Sequence, residues 1–265
     1  MHRAAPVTWL ARIGYGARGL VFIVLAYFTL LATLDARTHP LDGKDALHAL
    51  LTRPAGSVLL LVVAVGLICF ALWRAAQCVL DADRLGTEPA GLARRAVYGA
   101  AGLFYAGFAA VAFSMLLGGR TKSTDRTIHD LTAWLLGQPM GQWIVALAGI
   151  AVVVSGLCIG VAGLRAEFGE RLALTQEPRW FVTFLGGIGY MTRAAVYVLI
   201  GSFLIFAALD SNAHEASGLA GALQFIKRQP YGAALLGLTA AGLFAFGLYG
   251  LAEALFRRVD ARLPG

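Results

Sequence analysis

Arg18, Arg94 and Arg193 recur with the same neighbours. Each precedes an aromatic residue four positions later (Phe22, Tyr98 and Tyr197) and a small residue eight positions later (Ala26, Gly102 and Gly201). A spacing of four places guanidinium and ring on one helix face, where the cation meets the electron-rich face of the ring. The chemistry open to such residues is electrostatic. A cationic ring of Arg18, Arg94 and Arg193, with Tyr98 and Tyr197 one turn deeper, would attract a small anion or a lipid headgroup, and these five residues are the candidate site. The simpler reading is that arginine near a helix end snorkels to the polar interface and sets topology. Gln77 and Glu253 stand twenty-three residues after Pro54 and Pro230. They are candidate partners of the arginines, and solvated helix ends account for them equally well.

Other constellations carry less. Gly14-Tyr15-Gly16-Ala17-Arg18-Gly19 matches GxGxxG, but nothing strand-like precedes it and a lipid-length helix follows, so a dinucleotide site is rejected. Four of the five histidines, His39, His48, His129 and His214, stand with Asp42, Asp45, Asp130 and Glu215 in segments between apolar runs. Nitrogen and oxygen ligands suit zinc, yet the pairs are not spaced alike between repeats, and polar loops are the default reading. Cys69, Cys78 and Cys158 lie in apolar runs and read as small hydrophobes. No acid or histidine falls in the middle of an apolar run, which argues against a proton-coupled pump and against a b-type haem. With no nucleophile–base pair, metal cluster or cofactor motif, the expectation is a protein that is not an enzyme, with no catalytic residue, no metal and no cofactor.

The elements that must position these residues are transmembrane helices. Of 265 residues, 58% are hydrophobic and 14% charged, and the mean hydropathy is +0.71. Soluble domains carry about 25% charged residues, so this chain lacks the polar surface to cover itself in water. The net charge of +7 is not gathered into a basic face with stacking aromatics, so no nucleic-acid partner is expected. Six runs reach the length a bilayer core requires: 13–34, 57–78, 97–117, 142–164, 184–209 and 233–256. Arg3 and Arg12 ahead of the first run resemble a signal peptide. That run exceeds a typical signal-peptide core and matches the later odd-numbered runs, so it reads as a retained helix.

A Pro-x-Gly opens every second run: Pro54-Ala55-Gly56, Pro139-Met140-Gly141 and Pro230-Tyr231-Gly232. Proline tolerates the first turn of a helix, and glycine lets the chain bend into it. Twelve residues after each proline stands a small residue, Gly66, Ala151 or Gly242, at matched depth for close helix packing. Gly14-Tyr15 returns as Gly189-Tyr190, whereas the middle copy has lost it. Gly156-Leu157-Cys158-Ile159-Gly160 is a GxxxG that reads as packing among the helices, with an oligomer contact as the alternative. The segments 45–51, 130–136 and 221–226 read as short interfacial helices before each Pro-x-Gly. The expected fold is an all-α integral membrane protein, one domain over 1–265, with repeats 11–80, 92–165 and 184–257 forming three tandem helical hairpins about a pseudo-threefold axis. Of 22 cations, 14 fall on the side of the termini and 8 on the other, which places both termini in the cytoplasm.

Gly43-Lys44-Asp45-Ala46-Leu47, Pro54-Ala55-Gly56 and Leu72-Trp73-Arg74-Ala75-Ala76-Gln77 resemble the bacterial membrane family catalogued as domain of unknown function 1206. Gly221-Ala222-Leu223, Gln229-Pro230-Tyr231-Gly232 and Leu248-Tyr249-Gly250 resemble it too. The middle copy departs from the pattern at Ser155-Gly156-Leu157-Cys158. The resemblance implies three two-helix repeats in a bacterial plasma membrane and no catalytic residue. The layout is similar to that of the mitochondrial carriers, whose Pro-x-acid-x-x-base motif is absent. The leading functional expectation is a structural or interaction component, with the bilayer, a membrane protein or a second copy as partner. The alternative is a passive channel or carrier for a small anion or lipid headgroup.

Overall fold

The structure, a computed structural model, describes residues 5–34, 39–41, 43–51, 56–83, 85–119, 124–165 and 176–256, all helical or in turns with no strand among them. Six long helices carry the apolar runs: α1 (Ala5–Leu34), α3 (Gly56–Val79), α4 (Pro89–Leu116), α6 (Gly141–Arg165), α7 (Gln176–Leu209) and α9 (Gly232–Phe256). All six are long and apolar enough to cross a bilayer. Between them lie three short helices, α2 (Gly43–Leu51), α5 (Thr124–Leu136) and α8 (Leu219–Arg228), and a 3-10 turn at Ala213–Glu215. Helix α5 begins six residues before the expected 130–136, because Thr124 to His129 continue its helical turns. Because the spans alternate in direction, the short helices share one end of the molecule, and the start of α1 and the end of α9 share the other.

The Pro-x-Gly reading acquires a geometry. Gly141 N donates to Gln138 O at 2.9 Å and Gly232 N to Gln229 O at 2.8 Å. Met140 and Tyr231 take φ of 65° and 61°. Proline followed by a residue of positive φ is the type II turn, so the bend resides in the middle residue. The glycine answers a different need. A Cβ on Gly141 would lie 1.7 Å from Leu135 O, and one on Gly232 2.0 Å from Lys227 O. Pro54 and Ala55 of the first copy lie outside the described residues. A left-handed conformation costs a non-glycine residue about 1–2 kcal/mol, and the Met140 side chain is 70% exposed. Met140→Gly is therefore expected to stabilise by about 0.5–1 kcal/mol after the unfolded chain's added entropy, and Met140→Val to destabilise, both read by thermal unfolding in detergent.

Helix order around the molecule follows from small residues. α1 lies on α9, α3 on α4 and α6 on α7, each pairing the first helix of one repeat with the second helix of another. At the α1–α9 crossing a Cβ on Gly19 would sit 2.7 Å from Gly247 O, and at the α6–α7 crossing Gly149 and Gly201 face each other's carbonyls at 2.9 and 2.7 Å. Such approach brings backbones into dispersion contact, the chief packing force in lipid. The Gly156–Gly160 pair also faces α7, against Tyr197 and Ala194, so it is used within the chain.

Within repeats one and three the hairpins are locked alike. Phe70 seats its backbone over Gly14, and Phe246 over Gly189, each 2.6 Å from where a glycine Cβ would be. The corresponding middle-repeat residues are Ser155 and Ala90. The lock is missing there, and α4 and α6 are not packed on each other. The six long helices thus form a ring open at one seam. α1, α3 and α9 hold its interior, with Leu60, Leu67, Phe70, Leu243 and Phe246 buried, while Leu103, Trp143 and Leu147 face outward as lipid contacts.

Candidate functional site

The five candidate residues do not form a threefold set. Arg18 is buried and ion-paired to Glu253 of α9. Its guanidinium also stands 5.1 Å from the Tyr15 ring, 5.3 Å from Phe70 and 5.0 Å from Phe246. Arg193 comes close to it on the far side of Phe246, 4.5 Å from that ring centroid and 5.5 Å from both Phe22 and Tyr197. Its Nη2 donates to the Tyr197 hydroxyl at 3.3 Å. Arg94 is exposed and takes no part. Snorkelling describes Arg94; it does not describe Arg18.

Arg74 of α3, outside the expected set, takes the place expected of Arg94. Its guanidinium lies 4.9 Å from both Phe70 and Tyr98. Nη1 donates to Gln77 Oε1 at 2.9 Å, and Gln77 Nε2 donates to Asp83 Oδ2 at 2.8 Å. Three guanidinium groups therefore alternate with two rings, in the order Arg74, Phe70, Arg18, Phe246, Arg193. Each such cation–π contact contributes about 0.5–2 kcal/mol, more where water is excluded. Phe70 and Phe246 each stand sixteen residues after their proline, so the repeat register contained the signal for both. Nothing in the register singles out Arg74. Gln77 and Glu253, for which solvated helix ends were an equal reading, are both buried and both bind an arginine.

Charge balance differs along this row. Glu253 neutralises Arg18, and Gln77 links Arg74 to Asp83. The buried Nε of Arg18, Arg74 and Arg193 alike has no hydrogen-bond partner, but Arg193 differs in having no carboxylate partner among the described residues. The repeat explains why. Arg18 receives its acid from the helix that packs on α1, at the twenty-third residue after Pro230; the same position of α6, which packs on α7, is Ala162.

Arg193 faces a cavity of about 270 Å³ that extends to the short-helix end. Phe104 and Phe108 of α4, Val152 of α6 and Ile200 of α7 wall it along the open seam, and Thr124 and Ile128 of α5 with Leu219 close its far end. Tyr105 also lines it, its ring 4.7 Å from Phe70. The polar groups converge at one end, Arg193 with Tyr197 and Tyr105, and the remaining wall is mostly hydrocarbon. Phe104, 58% exposed, stands at the seam where the cavity meets the lipid-facing surface. An apolar chamber with one cation lacking a counter-charge suits an anion that carries its own apolar tail.

Fold and site together define a multi-pass helical membrane protein built from three tandem two-helix repeats with a laterally open chamber. The chain belongs to the family described as Domain of Unknown Function (DUF1206), whose model matches it over residues 13–81, 96–166 and 188–257. It is 29% identical over 251 residues to a protein of Bacillus subtilis (strain 168) called "Uncharacterized protein YxxB", an alignment covering 94% of this chain and 90% of that protein. No solved structure matches the chain.

Proposed function

We propose that the protein binds a single-chain anionic amphiphile, with its carboxylate or phosphate on Arg193 and Tyr197 and its tail in the seam chamber. The observation that carries this reading is the missing counter-charge of Arg193 where the repeat-equivalent Arg18 has Glu253. The proposal narrows the headgroup alternative read from the sequence and takes precedence over a purely structural role. It is a proposal of binding rather than conduction, since Arg18 is neutralised by Glu253 and boxed by Tyr15, Phe70 and Phe246. The bacterial relative supports a bacterial plasma membrane, and the cation asymmetry supports both termini being cytoplasmic. That orientation puts Arg193 towards the cytoplasmic headgroups, with the tail pointing to the bilayer middle as in an inner-leaflet lipid.

The test is native mass spectrometry of the purified protein with oleate, lysophosphatidate and neutral monoolein. Wild type is expected to retain one or both anions and not monoolein, and the two anionic arms separate a carboxylate from a phosphate head. Removing a charged hydrogen bond costs about 1.5–3 kcal/mol, so Arg193→Gln should weaken binding at least about tenfold, while Arg94→Gln should leave it unchanged. Retention of monoolein equal to that of the anions, or binding indifferent to Arg193→Gln, would remove the basis for the proposal.

A further inference from the structure

At the short-helix end, two histidines from different repeats meet. His129 Nε2 on α5 lies 3.3 Å from His214 Nδ1 in the 3-10 turn before α8. Their ring centroids are 4.8 Å apart at an interplanar angle of 48°, so the rings are tilted rather than stacked. A separation of 3.3 Å between two ring nitrogens is within reach of a direct hydrogen bond. It equals the edge of a tetrahedron whose corners lie at the zinc–nitrogen distance, about 3.3–3.4 Å for bonds of about 2.0–2.1 Å. Behind the pair, Asp130 Oδ1 lies 3.6 Å from His129 Nδ1. At 3.6 Å this is an ion-pair distance rather than a hydrogen bond, and closing it would put a carboxylate on the second ring nitrogen, the support that metal-binding histidines commonly have.

We propose that His129 Nε2 and His214 Nδ1 bind one zinc-class divalent ion, with Asp130 as a positioning residue and water at the open positions. Imidazole nitrogen selects zinc, copper(II) or nickel over magnesium and calcium. Among the described residues no third histidine, cysteine or carboxylate completes a cluster, so the site is two-coordinate in protein ligands and solvent-facing. The spacing irregularity that weighed against a metal in the sequence has a structural reason. The ligands come from non-equivalent places, a helix of repeat two and a turn of repeat three, and no repeat register would pair them. The ion would sit beside a second clasp between the same segments, where Asp125 accepts from Gly218 N at 3.1 Å and from Gly221 N at 2.7 Å. Because Thr124, Ile128 and Leu219 line the chamber, a metal here fastens its closed end.

The experiment is calorimetric titration of the purified, chelator-stripped full chain with zinc chloride, independent of any ligand at Arg193. Wild type is expected to bind one zinc saturably. His129→Gln and His214→Gln should each weaken binding more than tenfold, and Asp130→Asn should weaken it about tenfold through loss of orientation. His48→Gln, an exposed histidine on α2, is the control and should match wild type. Zinc binding unaffected by both ligand substitutions overturns the site. So does the absence of saturable binding to wild type, which would leave the contact as a direct imidazole–imidazole hydrogen bond.

Discussion

Glu253→Gln is expected to destabilise the protein by about 3–5 kcal/mol, because it leaves Arg18 buried and charged with no opposing carboxylate. In a chain of this length that corresponds to a loss of roughly 10 °C in apparent Tm. The size of the effect comes from desolvation more than from the contact itself. Arg18 cannot turn to water, since Tyr15, Phe70 and Phe246 surround its guanidinium and α9 approaches α1 at Gly19. The pairing logic gives a sharper check. Arg18→Met combined with Glu253→Leu removes both charges, and exchanging a buried pair for apolar groups is commonly neutral or favourable. The double variant should therefore be more stable than either single change, measured by thermal unfolding in detergent. A double variant whose loss equals the sum of the singles would mean that Arg18 stabilises the fold through its rings and not through Glu253.

Which parts of this arrangement could be read in advance follows from the range of the forces involved. The six spans and the three Pro-x-Gly turns are local properties of hydropathy and backbone geometry, and the sequence carries them openly. The glycines that admit Phe70 and Phe246 were visible as the repeated Gly14-Tyr15 and Gly189-Tyr190, although their receiving role required the packed hairpin. Arg94 stands apart from Arg18 and Arg193 because repeat register shows which positions are equivalent, not which copies keep the same packing. Ser155 and Ala90 stand where the other repeats have an aromatic and its glycine seat. Without that lock α4 settles chiefly on α3, with Gly102 over the Ala71 carbonyl, and Arg94 is left outside while Arg74 takes up Tyr98. The departure at Ser155 and Cys158 was plain in the sequence. Its consequence, an open seam with a chamber behind it, depends on α4 and α6 packing on α3 and α7 rather than on each other, which no linear pattern encodes.

Ala162→Glu should weaken anion binding at Arg193 more than about tenfold while leaving the protein folded. The substitution supplies α6 with the acid that α9 carries as Glu253, at the same distance from its proline and on a helix packed against α7 in the way α9 packs against α1. Ala162 is exposed, with Arg165 three residues on along α6, and repeat geometry turns the new carboxylate towards Arg193. An internal carboxylate competes with any external one at a very high effective concentration, so affinity for oleate or lysophosphatidate should fall more than about tenfold. Ala162→Gln, similar in volume but uncharged, should change it by less than about threefold. Stability separates the outcomes further. In wild type, Arg193→Gln relieves a buried cation without a carboxylate partner but gives up its contacts with Phe22, Tyr197 and Phe246, so its effect without ligand should be small; in the Ala162→Glu background it would also orphan the new acid and should destabilise more. A coupling of about 1–3 kcal/mol in that double-mutant cycle is expected. Full anion binding by Ala162→Glu, together with zero coupling to Arg193, would show that the missing acid is an accident of the middle repeat and that Arg193 is held for the sake of its rings.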